Sequence, residues 1–554
     1  MTLHITNRGS NFFIIFCIVV SFSVVFSGPI WDIDFWWHLA TGKYILENKE
    51  LPEVDPFSDI LPYISLDSDV TLKGYWLAQV IFFLVFKAAS LYGIIALRAL
   101  ILLAILLLTY LWAKRNKCNN SIALFLVILA GLFSMHYPTG ERPQLFSFFF
   151  APLMVFLLEG FRENNINQKN NLLIFILLPL TMLLWANCHR GFVLGAALLA
   201  IYWGSETIKI LFKKNPLDKN KFVELTLIIF LTIIASFINP ATYKSYLFTL
   251  KFQGSALQQI TSEYLSPLTL PVYGTGFWPY WAYLFITFFV FVFTYKKIDL
   301  TRGIITLFLT LISLTAVRYV PFFIYITIPF TAKQATLLIE NRPQLGKVIK
   351  RIVPPILALA MIFIAVSGYE NRLGKALEHP VKKYRFPEKA ILFIKQHSPQ
   401  GKLFNHFEWG GYLIWELYPK YKTYIDGRNL NSIALRDSIY MIWDTPVAQP
   451  LFERYGINII IIPGIDPFTG ELYTIVNQLF RDNQWHLVYR DEISLIFIRG
   501  QENDPLIKKL SMPKIEAYDQ IIMQGTLMLN SGMKSPYLWQ ALETAYRVKR
   551  MHQN

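Results

Sequence analysis

Charged side chains are scarce in this 554-residue chain: Asp, Glu, Lys and Arg together make up 16% of it. A soluble protein usually carries about a quarter of such residues. Hydrophobic residues account for 54% and are concentrated in long apolar runs. The composition therefore excludes an ordinary water-soluble enzyme and predicts that most of the chain lies in a lipid bilayer.

Cysteine is also rare. The three cysteines, Cys17, Cys118 and Cys188, lie far apart in the sequence and are odd in number. They supply neither a disulfide framework nor the spacing of a metal-binding motif. Cysteine chemistry is thus excluded as the organising feature of the fold.

Acidic residues are outnumbered by basic ones, 37 to 52, which gives a net charge of +15. An excess of this size raises the question of nucleic-acid binding. The basic residues, however, lie in short clusters between the apolar runs, as is typical of the cytoplasmic loops of membrane proteins. We therefore do not expect a nucleic-acid partner.

The apolar runs predict about eleven membrane-spanning helices, each close to the length needed to cross a bilayer. They cover residues 12–26, 93–113, 120–136, 144–159, 172–187, 191–208, 222–238, 278–295, 303–318, 320–338 and 352–368. Arg8 precedes the first run and no clear cleavage site precedes Pro29, which favours an uncleaved helix over a signal peptide. Basic loops on the inner side place the amino terminus in the cytoplasm and the segment after residue 368 outside. The expected location is the inner cell membrane, with multiple passes.

Two further helices are predicted in the first outer loop. Residues 36–48 carry a one-sided apolar stripe, and residues 76–89 are apolar but shorter than the roughly twenty residues needed to span. Both are predicted to lie in the membrane interface. A proline-rich segment, residues 52–62, separates them.

The composition changes after residue 368. Short apolar runs that alternate with helical stretches predict a small α/β domain outside the membrane. The predicted strands are 402–404, 423–425 and 458–462, and the predicted helices between them are 386–396 and 447–455. Residues 515–551 are predicted to form two helices hinged around 531–536. We thus divide the chain into a transmembrane domain (1–368), an extracytoplasmic α/β domain (369–504) and a helical tail (505–554).

Asp32 and Asp34 are the principal candidates for chemistry, because carboxylates beside a membrane boundary are costly unless they bind or react with something. Either side chain can act as a general base. Asp34 directly precedes a predicted helix, so helix N-capping is the alternative for it, whereas Asp32 has no such local role in the sequence. The pair is also a candidate site for Mg²⁺ or Mn²⁺, although two carboxylates make an incomplete oxygen shell, and no cofactor is assigned.

The first 115 residues resemble the GT-C glycosyltransferases. This polyprenyl-phosphate-dependent class includes the dolichyl-phosphate-mannose–protein mannosyltransferases. The resemblance rests on the acids after the first helix, the two interfacial helices around a proline-rich loop, and the helix entry formed by Gly93 and Arg98–Leu100. The runs at 142–144 (Arg-Pro-Gln) and 185–187 (Trp-Ala-Asn) resemble those of a group of bacterial members.

Two departures from that class are visible. Ile33 separates the two acids, which tend to be adjacent in the mannosyltransferases. Trp36-Trp37 is followed by His38, whereas the oligosaccharyltransferases carry a Trp-Trp-Asp motif in their soluble domain. The resemblance therefore does not extend to en bloc transfer of an oligosaccharide.

The resemblance implies a donor sugar carried on a polyprenyl phosphate, which needs cationic partners at the outer leaflet. Arginine suits phosphate because its planar fork donates several hydrogen bonds. The candidates near predicted outer helix ends are Lys73, Arg98, His136, Arg142, His189, Arg190 and Arg318. For each arginine the alternative is snorkelling to lipid headgroups or pairing with Glu141. Glu263 is a further candidate for contact with donor or acceptor, with solvation as its alternative.

Polar residues of the predicted α/β domain lack the spacing of a metal site or a phosphate loop. His406, Glu408 and Asp426 are the candidates for a second site there. Asp426-Gly427-Arg428 follows a predicted strand and is predicted to be a turn with exposed charges. The domain is interpreted as structural or acceptor-binding, with the structural role favoured.

The resemblance implies a membrane glycosyltransferase that moves a sugar from a polyprenyl-phosphate donor to an extracytoplasmic glycan, lipid or protein acceptor. Arg98 is the main charge embedded in a helix, whereas a transporter would carry charges along its helix interiors. The pattern favours an interfacial enzyme. A membrane transporter and a non-catalytic binder of lipid-linked sugars are the alternatives.

Overall fold

The computed structural model describes residues 7–60, 66–137, 140–163, 168–213, 217–252, 262–269, 277–340, 342–443 and 445–553. Its contacts divide the chain into two compact units. The membrane unit consists of Met1–Ile30 and Lys73–Pro380, and the sheet unit consists of Trp31–Leu72 and Val381–Asn554.

Fifteen α-helices are described as far as residue 378. They are α1 (Asn7–Phe26), α2 (Phe35–Asn48), α3 (Leu66–Lys73), α4 (Trp76–Arg115), α5 (Asn120–His136), α6 (Gln144–Arg162), α7 (Gln168–Cys188), α8 (Phe192–Leu211), α9 (Lys219–Ser236), α10 (Lys244–Phe252), α11 (Trp278–Phe293), α12 (Leu300–Thr315), α13 (Val320–Glu340), α14 (Pro343–Gly368) and α15 (Gly374–Glu378).

The predicted membrane segments all coincide with helices of the membrane unit: α1, the second half of α4, α5 to α9, and α11 to α14. Within the described residues, five helical segments are long and apolar enough to cross a membrane: Trp76–Arg115, Gln144–Arg162, Phe192–Leu211, Val317–Glu340 and Gly346–Glu378. Five shorter apolar helices accompany them. The multi-pass membrane character is thus confirmed, and the number of helices that cross stays a prediction.

Small side chains let the membrane helices approach closely. The Ser21 hydroxyl of α1 donates to the Met361 carbonyl of α14 over 2.7 Å. A Cβ on Gly131 of α5 would lie 2.1 Å from the Phe22 ring, so the absence of a side chain there admits that ring. Small residues at helix contacts are the usual packing device in a bilayer.

The backbone of α4 breaks where the second interfacial helix was predicted to end. Ala89 and Ser90 have non-helical dihedral angles, with φ of 54° at Ser90. A Cβ on Gly93 would lie 2.7 Å from the Ala89 Cβ, so glycine is needed for this turn. The break separates residues 76–88 from the apolar segment that begins near residue 91.

The sheet unit contains eight more helices and a four-stranded sheet. The helices are α16 (Glu388–His397), α17 (Gly410–Leu417), α18 (Ser432–Trp443), α19 (Thr445–Tyr455), α20 (Thr474–Arg481), α21 (Asp504–Leu510), α22 (Glu516–Asn530) and α23 (Pro536–Gln553). The strands are β1 (Lys402–Asn405), β2 (Ile457–Ile462), β3 (His486–Arg490) and β4 (Leu495–Ile498).

The strand order is β1-β2-β4-β3, with β1 and β2 parallel and the other pairs antiparallel. Strand β2 consists of isoleucine except for Asn458, and all five isoleucines are buried in the interior of the sheet. Sequence analysis identified β1, β2, the flanking helices α16 and α19, and the two tail helices α22 and α23. It missed the hairpin of β3 and β4.

The predicted strand at 423–425 is wrong. Thr423 makes only an isolated bridge with Ser58. The side chain of Asn405 occupies the neighbouring backbone groups instead: it accepts from the Tyr424 amide over 2.9 Å and donates to the Ile425 carbonyl over 2.8 Å. A side chain therefore supplies the hydrogen bonds that a strand would have supplied.

Residues 31–60 and 66–72 belong to the sheet unit, although the sequence places them in the first predicted loop. Helix α2 is present as predicted, and it is buried on most of its faces. The Trp36 ring lies edge-on to Phe386 and Tyr412 at 5.5 and 4.7 Å. The location of α2 in a membrane interface stays a prediction.

His406 follows β1 and is 6% exposed. Its Nε2 atom lies 2.9 Å from the Tyr473 hydroxyl, which donates to Asp466 Oδ2 over 2.9 Å. Burial lowers the pKa of His406 to about 4. The folded protein therefore holds this histidine neutral well below the pH at which an unfolded chain would protonate it.

We expect the sheet unit to lose stability as the pH falls from about 6.5 towards 4, because only the unfolded chain takes up the His406 proton in that range. At pH 5 the loss attributable to this residue is about 2 kcal/mol. Thermal unfolding of the purified protein at pH 7 and pH 5 measures the effect. His406→Gln should show a smaller decrease than the wild type, and the exposed His552→Gln should show the same decrease. An unchanged pH dependence in His406→Gln would show that this residue is not responsible.

Candidate functional site

The acid loop, residues 31–34, belongs to the sheet unit. Asp32 is 1% exposed, and its Oδ1 atom accepts a hydrogen bond from the Asp34 amide over 2.9 Å. A side chain that binds the backbone two residues on forms an Asx turn. Sequence analysis gave Asp32 no local structural role, and the structure corrects this.

Asp34 lies at the N-cap position of α2 but its side chain makes no capping hydrogen bond. The N-capping alternative is therefore wrong for this carboxylate. Its Oδ1 atom accepts from the Trp37 indole nitrogen over 3.1 Å. Asp34 is half-buried, so it is the more accessible of the two acids.

Arg428 is the centre of a buried ion cluster. It donates two parallel hydrogen bonds of 2.7 Å to the Asp426 carboxylate and a third, of 2.5 Å, to Asp55 Oδ1. Asp426 and Arg428 are 4% and 6% exposed, so the predicted turn with exposed charges is wrong. The cluster joins the proline-rich part of the first loop to the segment after residue 381.

The surrounding charges and hydrogen bonds favour the ionised forms of Asp55 and Arg428. Burial by itself raises the pKa of Asp55, but the Arg428 guanidinium and hydrogen bonds from Arg428, Ser58 and the Phe57 amide outweigh it and lower the pKa. Burial likewise opposes the charge on Arg428, yet Asp426 and Asp55 raise its pKa overall. Asp55 and Arg428 thus form a charged pair in the interior, and the Asp426 carboxylate accepts two further hydrogen bonds of the guanidinium.

The other polar candidates of the sheet unit do not form a second site. His406 is bound to Tyr473, and Glu408 forms an ion pair of 2.6 Å with Arg385. No group of three or more His, Cys, Asp or Glu side chains with the geometry for a metal ion occurs among the described residues. In that part of the chain, the acids supply an incomplete shell for Mg²⁺ or Mn²⁺.

Arg98 fastens the end of α1 within the membrane unit. Its Nε atom donates to the Phe26 carbonyl over 3.0 Å, and its two terminal nitrogens contact Glu141 and the Gly28 carbonyl. The Arg98 and Glu141 side chains are 6% and 0% exposed. All three nitrogens of the guanidinium are therefore engaged by the protein itself.

Arg142 and Glu263 meet in an ion pair of 2.6 Å, although they lie 121 positions apart. Lys73 ends α3 and His136 ends α5, where its Nδ1 atom contacts the Leu132 carbonyl. The structure thus brings two of the predicted site residues, Arg142 and Glu263, into direct contact.

Three further candidates, His189, Arg190 and Arg318, line one cavity of about 450 Å³ in the membrane unit. Gln144 lies at the same polar end. The remaining wall is largely apolar and includes Val193, Leu194, Ala197, Phe308, Ile312 and Phe322. The cavity therefore combines a cationic end with a hydrocarbon-like wall.

Aromatic rings hold the two arginines of this cavity. The Arg190 guanidinium lies 4.3 Å from the Phe248 ring and 5.2 Å from the Tyr75 ring, and that of Arg318 lies 4.3 Å from the Tyr264 ring. Neither arginine forms an ion pair with a carboxylate of the described residues, and the buried Nη1 atom of Arg190 has no acceptor there. Such stacking orients a guanidinium without neutralising it.

His189 adds an oriented donor. Its Nδ1 atom accepts a hydrogen bond from the Gly191 amide over 3.0 Å and lies 2.6 Å from the Ser147 hydroxyl. An imidazole nitrogen that accepts carries no proton, so in the neutral ring the proton is on Nε2. Ser147 in turn accepts from the Trp185 indole over 2.6 Å.

The sequence patterns did not indicate Phe248, Tyr264 or Asp55 as site residues. The aromatic residues are separated from the arginines they hold by more than fifty positions in the sequence. No local motif signals such a pairing. Two runs singled out in the sequence lie nearby: Trp185 of the Trp-Ala-Asn run supports His189 through Ser147, and Gln144 of the Arg-Pro-Gln run lines the cavity.

The fold of this chain is similar to that of solved membrane proteins, as the GT-C resemblance of its first loop predicted. One similar structure is the archaeal oligosaccharyltransferase AglB from Archaeoglobus fulgidus, in complex with an inhibitory peptide and a dolichol-phosphate. It aligns with a TM-score of 0.55 and 10% identity over 89% of this chain and 75% of AglB. Another is ArnT from Cupriavidus metallidurans bound to undecaprenyl phosphate, with a TM-score of 0.52 and 11% identity over 88% of this chain and 98% of ArnT. No family model and no curated protein sequence matches the chain.

We expect Asp55→Asn to lower the free energy of unfolding by about 3 kcal/mol. This is the lower end of the range for breaking a buried ion pair, because Asp426 still neutralises Arg428. Chemical denaturation of the purified protein measures it. Asp59→Asn, an exposed acid of the same loop, is the matched control and should stay within about 0.5 kcal/mol of the wild type. Equal stability of Asp55→Asn and Asp59→Asn would contradict the anchoring role of the cluster.

Proposed function

We propose that this protein is a membrane glycosyltransferase that moves a sugar from a polyprenyl-phosphate donor to an acceptor hydroxyl outside the cytoplasm. The cavity of the membrane unit carries the proposal. Its cationic end fits a phosphate, and its apolar wall fits the hydrocarbon chain to which that phosphate is joined. The dolichol-phosphate of the AglB structure and the undecaprenyl phosphate of the ArnT structure support the same ligand class.

Of the cationic candidates, Arg190, Arg318 and His189 are the proposed ligands of the phosphate. The two arginines have no counter-ion in the described residues, and the imidazole presents an N–H donor. Arg98 and Arg142 already have carboxylate partners, Glu141 and Glu263. Their part in substrate binding, and that of Lys73 and Glu263, stays a prediction.

The proposed reaction is a single displacement. The acceptor oxygen forms a bond to the anomeric carbon while the bond from that carbon to the phosphate oxygen breaks. The polyprenyl phosphate departs with the bonding electrons as a stable anion, so it needs no proton. Arg190 and Arg318 stabilise the charge that develops on it.

The acceptor proton passes to the acid loop. We assign the general base to Asp34, because its side chain is half-buried and accessible, whereas Asp32 is fully buried and holds the Asp34 amide. Asp32 is then a positioning residue.

We further propose that the protein lies in the inner membrane of the cell. Its amino terminus is then in the cytoplasm, and its sheet unit is on the outer side of that membrane. The basic clusters between the apolar helices support this orientation. They include Lys114–Lys117, Lys296-Lys297 and the run from Lys347 to Arg351.

The cavity predicts a phosphate-dependent affinity. Arg190→Ala and Arg318→Ala should each weaken binding of undecaprenyl phosphate to the purified protein by about 10- to 100-fold, since each removes a charge-assisted hydrogen bond. Arg190→Lys should also bind weakly, because lysine lacks the stacked planar fork. Thermophoresis with labelled protein measures the affinity.

Two controls separate the phosphate contribution from general damage. Undecaprenol, which lacks the phosphate, should bind the wild type and both variants alike. The exposed Arg342→Ala should bind undecaprenyl phosphate as the wild type does. If both cavity variants keep wild-type affinity for undecaprenyl phosphate, the cavity is not the phosphate site.

Turnover by the wild type and by variants of Asp32 and Asp34 tests whether the protein is an enzyme that uses these acids. The donor is identified first, as the lipid-linked sugar that accumulates in cells lacking the protein. Release of polyprenyl phosphate from that donor, with cell-envelope extract as acceptor, then measures turnover. Asp34→Asn should reduce turnover by about 10²–10⁴-fold, the usual effect of losing a general base, with undecaprenyl phosphate binding unchanged.

Asp32→Asn should reduce turnover by less than Asp34→Asn does, because asparagine retains an oxygen that accepts the hydrogen bond from the Asp34 amide. The control is Glu53→Gln, at an exposed residue of the proline-rich segment, which should keep wild-type turnover. Wild-type turnover in the double variant Asp32→Asn, Asp34→Asn would discard the mechanism. Binding of undecaprenyl phosphate without any turnover by the wild type would instead identify a non-catalytic binder of lipid-linked sugars.

A further inference from the structure

Two glycines of the sheet unit touch the acid loop more closely than any side chain allows. A Cβ on Gly427 would lie 1.9 Å from Asp34 Oδ1, and a Cβ on Gly411 would lie 2.5 Å from the Ile33 carbonyl oxygen. Real Cβ atoms essentially never come within 3.0 Å of such neighbours. The acid loop therefore rests directly on the backbone at these two positions.

Space, and not backbone conformation, accounts for glycine at both sites. Gly411 and Gly427 are not among the residues with positive φ, so alanine has no conformational penalty there. Gly411 is the second residue of α17, and its Cβ would also lie 3.5 Å from the Trp37 backbone nitrogen. The requirement comes from the acid loop itself.

Hydrogen bonds and ion pairs hold the turn that carries Gly427. Asp426 Oδ1 accepts from the Arg428 amide over 2.9 Å, and the Asp426 carbonyl accepts from the Asn429 amide over 3.1 Å. The buried ion cluster with Asp55 fixes the same turn. Because the turn is held on both sides of Gly427, the Asp34 carboxylate meets a fixed wall.

The acid loop is also held at its first residue. Arg385 Nε donates to the Trp31 carbonyl over 3.3 Å, and its guanidinium is paired with Glu408 at 2.6 Å. The segment after residue 381 thus contacts the loop at Trp31, Ile33 and Asp34. Each contact comes from a different part of the sheet unit.

We infer that Gly427 and Gly411 are positioning residues that set the location of the Asp34 carboxylate. The domain that sequence analysis favoured as structural is then part of the catalytic apparatus, because it fixes the general base. The inference rests on the proposed function in that Asp34 is the base. The contact itself is testable without any substrate.

A double-variant cycle tests the contact. Gly427→Ala should lower the thermal midpoint of the whole purified protein by several degrees, because the new methyl group displaces Asp34 Oδ1. In the Asp34→Ala background the displaced atom is absent, so the same substitution should shift the midpoint by much less. Equal shifts in the two backgrounds overturn the inference.

The cycle remains decisive if Gly427→Ala alone fails to accumulate as folded protein. Recovery of folded protein in Gly427→Ala, Asp34→Ala would then be the expected coupling in a stronger form. Failure to fold in both backgrounds would overturn the inference.

Kinetics test the positioning role. Gly427→Ala should lower kcat at least tenfold while the KM for the lipid donor and the affinity for undecaprenyl phosphate stay within twofold. Gly464→Ala is the matched control, since its Cβ would lie 2.4 Å from Gln520 Oε1 in the same unit but not at the acid loop. It should lower the thermal midpoint without this loss of kcat.

The two proposals fail in different ways. An unchanged kcat in Gly427→Ala, or an equal loss in Gly464→Ala, overturns the positioning role even where the enzyme turns over. Absence of turnover by the wild type refutes the proposed function instead. The thermal cycle then decides alone whether Gly427 sets the place of Asp34.

Discussion

The buried salt bridges of Arg428 are the interaction on which the sheet unit depends. Arg428 and Asp55 are 373 positions apart in the sequence and meet in an interior where both side chains are 1% exposed. A buried guanidinium is tolerated only if its charge and its donors are satisfied. Asp426 and Asp55 satisfy both conditions, and in doing so they bind the first loop to the segment after residue 381 and fix the turn that carries Gly427.

The charges of the membrane unit fall into two sets with different consequences. Near one end of α4, α6, α8 and α12, four cations, Arg115, Arg162, Lys209 and Arg302, pair with four acids, Glu159, Glu163, Glu206 and Asp299. These charges neutralise one another and hold helix ends together. Arg190 and Arg318 are held by aromatic rings instead, so their charge remains available to an anionic ligand.

The same fold is reached here with 10 to 11% sequence identity to AglB and ArnT. Membrane helices require mainly an apolar composition, a suitable length and small residues at close contacts, so many different sequences can form them. The chemistry is placed by a few residues on loops and helix ends. Such tolerance in the membrane helices explains how one fold is compatible with sequences that differ at about nine positions in ten.

Elements that form through local interactions were predicted from the sequence. The apolar runs gave every predicted membrane helix, and β2 followed from its isoleucine run. The hairpin of β3 and β4 was missed, and Thr423–Ile425 was wrongly predicted to be a strand because Asn405, eighteen or more positions away, takes its hydrogen bonds. The GT-C resemblance read from the sequence agrees with the fold, whereas the roles of the acids and of the arginines stay predictions.

Only the tertiary structure decided which of these residues act together. It assigned Arg98 to the end of α1, Arg142 to Glu263, and Arg190 and Arg318 to one cavity, although all four look alike in the sequence. It exchanged the expected local roles of Asp32 and Asp34 and buried Arg428. The physical reason is range: helix formation depends on neighbours within a few residues, whereas Glu141, Glu263 and Asp55 lie 43, 121 and 373 positions from Arg98, Arg142 and Arg428.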